Sequence, residues 1–207
     1  MDQSPTQRLR RFGPDNSATP ADALIVILFG RGQEADAEEL ALRWGPAVPG
    51  GAFAGLELDL TTPRVDLVGV RALLAEAADH HGLQTQQIVL LGAGRAGRLA
   101  IDLALLGVVP GAAVITLDIP LESPPTTLAP ATAAVRMVQH SSPDDPMGER
   151  FHAVVEALQR REVNIRSMLL PDLEAATQRA TLRAAGAFLV ELVANASRLA
   201  PAARIWP

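Results

Sequence analysis

The stretch IVLLGAGRAGRLAIDLAL, residues 88–105, predicts a strand, a glycine-rich turn and a helix in immediate succession. Its apolar start is typical of a buried strand, and the spacing of the apolar residues after the turn is helical. Gly92, Gly94 and Gly97 make the turn tight and allow the helix to pack closely against the strand. The same three glycines are compatible with two different functions, and the rest of the sequence is needed to choose between them.

Short apolar segments alternate with amphipathic segments along most of the chain. Strands are predicted at 23–29, 52–58, 87–92, 112–118, 134–139 and 163–170, and helices at 34–44, 63–82, 95–107, 146–161 and 174–196. This alternation predicts an α/β fold with a mainly parallel sheet and helices on both faces. We expect a single compact domain over 23–200, a loosely ordered N-terminal arm over 1–22 and a C-terminal tail over 201–207.

Composition excludes several kinds of chemistry. The chain has 207 residues and a net charge of -5, which disfavours a nucleic-acid or anionic-membrane surface. All 18 basic residues are arginines and cysteine is absent, so catalysis by lysine or thiolate is excluded. No apolar run approaches the ~18–20 residues of a membrane span, and the N-terminus carries no secretory signal. We therefore expect a cytoplasmic protein without a cofactor or a metal.

One function that fits the turn is dinucleotide binding, because Gly92, Gly94 and Gly97 match the pattern G-x-G-x-x-G. Asp118 lies at the end of the next predicted strand, about 20 residues further on, where a ribose-binding acid is expected. However, a proline-rich segment follows Asp118 in place of a crossover helix, and a complete strand–helix–strand–helix unit precedes the motif. Dinucleotide binding through these glycines therefore stays an alternative.

Three separated segments together resemble the carboxylesterase/phospholipase family of α/β hydrolases, which includes small serine esterases and acyl-protein thioesterases. ALIVILFGRGQEADAEELA (23–41) resembles the family's first strand, oxyanion turn and helix. VDLVGVRALLAEAADHHGLQTQQIVLLGAGRAGRLAIDLAL (65–105) resembles the helix, strand and nucleophile turn that follow. VRMVQHSSPDDPMGERFHAVVEALQRREVNIRSMLL (135–170) resembles the segment with the acid and the helix and strand before the catalytic histidine. The resemblance implies the α/β-hydrolase fold.

Carried over residue by residue, the resemblance implies a catalytic triad that is broken at two positions. The nucleophile position is Gly94, which has no side chain, and the histidine position is Ala175, with Glu174 beside it. The acid position is Asp144, with Asp145 as the near alternative. Because a serine nucleophile needs a base within hydrogen-bond reach, the resemblance implies a catalytically degenerate member that serves in binding, scaffolding or regulation.

The oxyanion turn is largely kept, since Gly30, Arg31 and Gly32 remain although Phe29 replaces the family's histidine. Arg95 follows the nucleophile position, where the family usually has glutamine. We expect these residues to bind a small acyl or anionic ligand beside the helix N-terminus.

A second hypothesis gives Arg95 an internal role. A buried, unpaired carboxylate is costly, so Asp144 or Glu174 would need a new partner in the absence of a catalytic histidine. Arg95 is the cation that could pair with either of them and fill the old site.

The alternative function is an ester or thioester hydrolase with rearranged catalytic residues. Ser141 and Ser142 directly follow His140. Adjacent residues at a strand end point apart, and the sequence shows no third partner that would orient the imidazole. We therefore expect His140 to be a non-catalytic strand-end histidine and the serines to be turn residues.

The other histidines give no metal signal. His152 is expected to be a packing or surface residue, and the adjacent His80 and His81 are expected at a helix C-terminus, without the spacing of a metal site. The apolar final helix, together with the pairing common in the family that the chain resembles, leads us to expect a homodimer.

Overall fold

The computed structural model describes residues 7–12, 21–61, 65–121, 133–141, 145–171 and 174–199; in the last range, side chains are described from 179 to 198. Within these ranges the chain alternates between strands and helices. The strands are β1 (Arg8–Phe12), β2 (Ala23–Gly30), β3 (Gly51–Leu58), β4 (Ile88–Ala93), β5 (Ala113–Leu117), β6 (Ala134–Ser141) and β7 (Asn164–Pro171), and the α-helices are α1 (Glu34–Trp44), α2 (Leu67–His80), α3 (Gly94–Leu105), α4 (Met147–Gln159) and α5 (Glu174–Leu199).

The strands form one seven-stranded sheet in the order β1-β3-β2-β4-β5-β6-β7. All neighbouring pairs are parallel except β1 with β3, which are antiparallel. The prediction of a mainly parallel sheet is therefore confirmed. The chain moves from β2 to one side to form β3 and then returns to the other side to form β4, so the order reverses between β2 and β4.

Helices cover both faces of the sheet, as predicted. Alternate side chains of β2 enter different cores, with Leu24 and Val26 packed toward α2, α3 and α4, and Ile25 and Ile27 packed toward α1 and α5. All four side chains are at most 2% exposed, which explains why the sequence of β2 is continuously apolar.

The N-terminal region corrects one expectation, because residues 8–12 form strand β1 instead of belonging to a loosely ordered arm. Phe12 packs against Phe29 with ring centroids 6.4 Å apart, and its ring lies over Gly55, where a side chain would collide with it. The sequence did not predict this strand because Leu9 and Phe12 are the two apolar residues among three arginines; Leu9 is partly exposed and Phe12 is buried.

The start of α2 corrects a second expectation, since the helix begins at Leu67 rather than at 63. The Asp66 carboxylate accepts hydrogen bonds from the backbone N–H groups of Val68 and Gly69 at 3.1 and 3.0 Å. An aspartate that satisfies two unpaired N–H groups in this way fixes the first turn of a helix.

Candidate functional site

The reversal of strand order brings two turns together at the carboxyl ends of β2 and β4. Open α/β sheets bind ligands in the crevice outside the strand ends at such a point. Gly30–Gly32 follows β2, and Gly94 follows β4. The predicted oxyanion turn and the predicted nucleophile position therefore lie at the place where the topology favours a binding site.

The turn between β4 and α3 has the shape of a nucleophile elbow. Gly94 has a left-handed φ of 53° and is the first residue of α3. A side chain at Gly92 would lie 2.7 Å from the backbone of Ala96 and Gly97, and one at Gly97 would lie 2.5 Å from the Gly92 oxygen. These two glycines therefore allow the strand and helix to touch.

Gly94 differs from its two neighbouring glycines, because none of the described atoms lies within 4 Å of the place where its Cβ would be. Among the described residues, the turn therefore leaves room for a side chain at the predicted nucleophile position. It has no hydroxyl there, and a backbone turn without that group cannot attack a carbonyl.

The oxyanion turn uses part of its polar groups internally. The backbone N–H of Gly30 donates to Gln33 Oε1 at 2.9 Å, and Gly32 has a φ of 82°. Arg31 pairs with Asp59 just after β3, with 3.3 Å between Nη2 and Oδ2. Hydrogen bonds from Thr61 and the charge of Arg31 hold the pKa of Asp59 below its ordinary value, so this carboxylate stays ionised.

Arg95 is exposed, and its Nη1 donates to the carbonyl oxygen of Leu60 at 3.3 Å. Arg31 and Arg95 thus both reach the segment that follows β3, one from each side of the crevice. The hypothesis that Arg95 pairs with Asp144 or Glu174 concerns side chains that lie outside the described residues.

The predicted acid and histidine positions are only partly described. Asp144 lies outside the described residues, whereas its neighbour Asp145 accepts a hydrogen bond from the backbone N–H of Met147 at 2.9 Å, at the start of α4. Ala175 belongs to the first turn of α5, which begins soon after β7 ends at Pro171. A helix therefore starts where the resemblance implies a histidine loop.

A set of three polar side chains that the sequence analysis did not predict lies between β5, β6 and α5. His140 Nδ1 is 2.9 Å from both carboxylate oxygens of Asp118, and the backbone N–H of His140 donates to Asp118 Oδ1 at 2.8 Å. His140 Nε2 is 2.7 Å from Thr181 Oγ1.

These contacts correct the expectation that His140 has no orienting partner, because Asp118 orients it. They also disfavour the role that the dinucleotide alternative gave to Asp118, since both oxygens of its carboxylate contact His140. The hydroxyl that contacts the His140 ring is that of Thr181, 41 residues from His140 in the sequence.

The other histidines have local contacts. His152 Nδ1 lies 2.7 Å from the Gly148 carbonyl oxygen one helical turn earlier, and the rings of His80 and His81 contact each other edge to face at 5.1 Å. Within the described ranges, no three histidine, aspartate or glutamate side chains cluster as metal ligands would.

None of the helices in the described part of the chain combines the length and apolar character needed to cross a bilayer.

Comparison with solved structures identifies the fold. An α/β hydrolase from a Medee basin deep-sea metagenome library, MGS-M1, has a TM-score of 0.69 and 16% identity, over 93% of this chain and 95% of that chain. Esterase 2 of Thermogutta terrifontis, phosphoramylated by tabun, has a TM-score of 0.65 and 16% identity, over 90% of this chain and 89% of the esterase. Esterase PE8 has a TM-score of 0.63 and 20% identity, over 88% of this chain and 99% of the esterase.

The chain therefore has the α/β-hydrolase fold, as the sequence resemblance implied. No protein-family model matches the chain, and no curated protein matches it either.

Proposed function

We propose that this chain is a catalytically degenerate α/β-hydrolase-fold protein that binds a small acyl or anionic ligand at the elbow and forms no acyl–enzyme there. The observation that carries this proposal is Gly94, which has the backbone conformation of an elbow nucleophile without a hydroxyl. Binding of this kind would serve a scaffolding or regulatory role instead of turnover at the elbow.

The open space above Gly94 supports a ligand in this position. No atom of the described residues lies within 4 Å of the place where a Cβ at this residue would be, and α3 begins at the same residue. Backbone N–H groups at the first turn of a helix are without intrahelical partners and favour negative charge. A carboxylate or a polarised carbonyl oxygen suits both features.

The charges around the crevice support an anionic or acyl ligand. Arg31 and Arg95 both contact the segment after β3, Arg31 through the carboxylate of Asp59 and Arg95 through the carbonyl oxygen of Leu60. Both guanidinium groups lie in exposed side chains, so they can turn from their present contacts toward a ligand. Arginine recognises carboxylates with two parallel hydrogen bonds.

The binding experiment uses butyrate, which combines a short acyl chain with a carboxylate. We expect butyrate to raise the thermal midpoint of the wild-type protein, because a ligand at ~100 Kd stabilises the folded state by roughly 2.7 kcal/mol. Arg95→Ala should weaken the apparent affinity by about tenfold, as expected for loss of a charge-assisted hydrogen bond. Ethyl butyrate is the uncharged comparison ligand. It has the same acyl chain without the carboxylate charge, so it shows whether the acyl chain or the charge is recognised.

The matched control is Arg43→Ala. Arg43 is an exposed arginine with a carboxylate partner, Glu39, at 2.8 Å on α1, and it is not part of the crevice. The variant should bind butyrate as the wild type does. If neither butyrate nor ethyl butyrate shifts the midpoint, or if both arginine variants lose affinity equally, binding at the elbow is contradicted.

The assignment of the elbow is tested by restoring the missing groups with Gly94→Ser and Ala175→His together. Because a Cβ at Gly94 meets no described atom within 4 Å, we expect the serine to fit there without a clash. We expect the double variant to be labelled by a fluorophosphonate probe at residue 94, as shown by peptide mapping. Gly94→Ala with Ala175→His has the same backbone strain without the oxygen and should remain unlabelled at the elbow. Labelling of neither variant would show that the positions of nucleophile and histidine are assigned wrongly.

Three further expectations from the sequence stay predictions. Light scattering during size-exclusion chromatography measures whether the chain is a homodimer, and fractionation of the native cells measures whether it is cytoplasmic. A thermal shift with NADH would favour the dinucleotide alternative, which the engagement of Asp118 by His140 disfavours.

A further inference from the structure

Asp118, His140 and Thr181 form a hydrogen-bonded chain of acid, imidazole and hydroxyl. Asp118 directly follows β5, His140 lies near the end of β6, and Thr181 lies two turns into α5. β5 and β6 are parallel neighbours, so their carboxyl ends meet at the same edge of the sheet. Nucleophiles activated by an oriented base are recognised by this geometry and not by their positions in the sequence.

The carboxylate determines which nitrogen of His140 carries the hydrogen. Nδ1 faces both oxygens of Asp118 at 2.9 Å, and a neutral imidazole placed in this way donates from Nδ1 to the carboxylate. Nε2 then presents its lone pair, so Thr181 Oγ1 donates to it at 2.7 Å. This is the contact that a general base makes before it removes a hydroxyl proton.

The backbone at Asp118 is held in an unusual conformation that serves the same contact. Its φ is 47°, in the left-handed region that residues other than glycine rarely adopt. The backbone N–H of Asp118 donates to the Val138 oxygen at 3.0 Å, and its carboxylate accepts from the backbone N–H of His140 at 2.8 Å. Two strand-to-strand contacts thus hold the carboxylate against the imidazole.

The exposed fraction decreases from Asp118 through His140 to Thr181. The Asp118 side chain is 44% exposed, the His140 side chain 14%, and Thr181 6%. The imidazole and hydroxyl therefore lie in a medium of lower dielectric constant than water, where their polar contacts are stronger.

We propose that Thr181 is a nucleophile toward small activated acyl groups, with His140 as its general base and Asp118 as the positioning residue. Thr181 Oγ1 bonds to the acyl carbon while its proton passes to His140 Nε2. The bond from that carbon to the leaving oxygen or sulfur then breaks, and the leaving group takes the proton from Nε2. Water next adds to the acyl carbon of the acyl–threonine, and His140 Nε2 takes a proton from that water. The bond between the acyl carbon and Thr181 Oγ1 then breaks, Oγ1 takes the proton from Nε2, and the carboxylic acid is released.

The low exposure of Thr181 sets the class of substrate. Because Thr181 is 6% exposed, we assign it small acyl groups, such as those of acetyl esters and acetyl thioesters, and not long acyl chains. This activity goes beyond ligand binding at the elbow and does not depend on it, because none of its three residues belongs to the crevice between β2 and β4.

The experiment treats the wild-type protein with p-nitrophenyl acetate, follows release of p-nitrophenolate and maps the acetyl group by mass spectrometry after a rapid acid quench. We expect acetylation at Thr181. Thr181→Val should remove the acetyl group, and His140→Ala should slow acetylation by about 100-fold, the lower range of general base catalysis. Thr181→Ser keeps the hydroxyl and should keep the reaction.

Asp118→Asn tests the positioning role, because asparagine tolerates a left-handed φ. Its amide no longer favours the hydrogen on Nδ1, so kcat should fall by about 100-fold while KM stays unchanged. Replacing a residue that only supported the fold would not lower kcat while leaving KM unchanged.

The matched control is Thr116→Val, since Thr116 is a β5 threonine that is 1% exposed and whose Oγ1 has no hydrogen-bond partner among the described residues. This variant should react as the wild type does. The inference is overturned if wild-type Thr181 carries no acetyl group, or if Thr181→Val reacts at the wild-type rate. Mapping on the wild type decides the question even if a variant fails to fold, and butyrate binding at the elbow is measured independently of it.

Discussion

The elbow and the α5 side of the sheet differ in what each contributes, since one has a tight backbone turn and the other has polar side chains in contact. The elbow has the backbone geometry of a catalytic turn, with Gly94 at a φ of 53°, but no nucleophilic side chain. The α5 side has an acid, an imidazole and a hydroxyl in hydrogen-bond contact, but these three residues are not the positions of the catalytic triad that the resemblance implies.

The difference teaches that the shape of a catalytic turn and its chemistry are specified by different residues. The elbow is held by the contact of Gly92 with Gly97, which needs small residues and does not involve the nucleophile position. The contacts on the α5 side depend on polar side chains, of which Thr181 is buried and needs a hydrogen-bond partner. Substitutions should therefore affect the two regions in different ways.

The largest expected effect is on the α5 side, at the buried ion pair between Arg136 and Glu191. Arg136 is 2% exposed, and Glu191 accepts from its Nη2 at 2.8 Å and from its Nε at 3.3 Å. Glu191→Ala leaves the guanidinium buried without a counter-charge, which should lower the free energy of unfolding by about 3 kcal/mol. Urea denaturation monitored by circular dichroism measures this loss.

The control for this pair is Arg166→Ala. Arg166 also contacts Glu191, at 3.2 Å, but its side chain is 65% exposed, so its loss should cost less than about 1 kcal/mol. Equal losses of unfolding free energy in the two variants would show that the burial of Arg136 does not determine how much the ion pair stabilises the fold.

The same pair predicts a pH dependence. Hydrogen bonding from Arg136 is the main cause that holds the pKa of Glu191 below its ordinary value of 4.5. Because the folded-state pKa is the lower one, the contribution to stability is complete above about pH 4.5 and is lost as pH falls through the folded-state pKa. The stability of Glu191→Ala should therefore decline less steeply than that of the wild type below that pH.

The sequence predicted the elbow well and the polar groups of the α5 side poorly, for a physical reason. Gly92, Gly94 and Gly97 are local, and the strand and helix on either side have clear periodicity. The contact between His140 and Thr181 joins residues 41 positions apart, and nothing in either local sequence identifies the other.

Two signals could nevertheless have predicted part of the α5 side. Asp118 and His140 both lie at ends of predicted neighbouring parallel strands, and such ends meet at one edge of a sheet. Thr181 shares its helical stripe with Ala185 and Leu189, which are both at most 1% exposed, so its hydroxyl had to be buried and to need a partner. The arginine-rich strand β1 gave no comparable signal.

A smaller expected effect is the difference in stability between two glycine substitutions in the elbow, one at a packed glycine and one at a glycine with a left-handed φ. Gly92→Ala puts a Cβ 2.7 Å from the backbone of α3, so the strand and helix must move apart, at a cost of about 2 kcal/mol. The Cβ of Gly94→Ala meets no atom of the described ranges within 4 Å, so the expected cost is the strain of a left-handed φ, about 1 kcal/mol. Parallel urea denaturation of both variants measures the difference. A loss for Gly94→Ala as large as that for Gly92→Ala would mean that the nucleophile position is packed rather than open, and the space assigned to the ligand would then not exist.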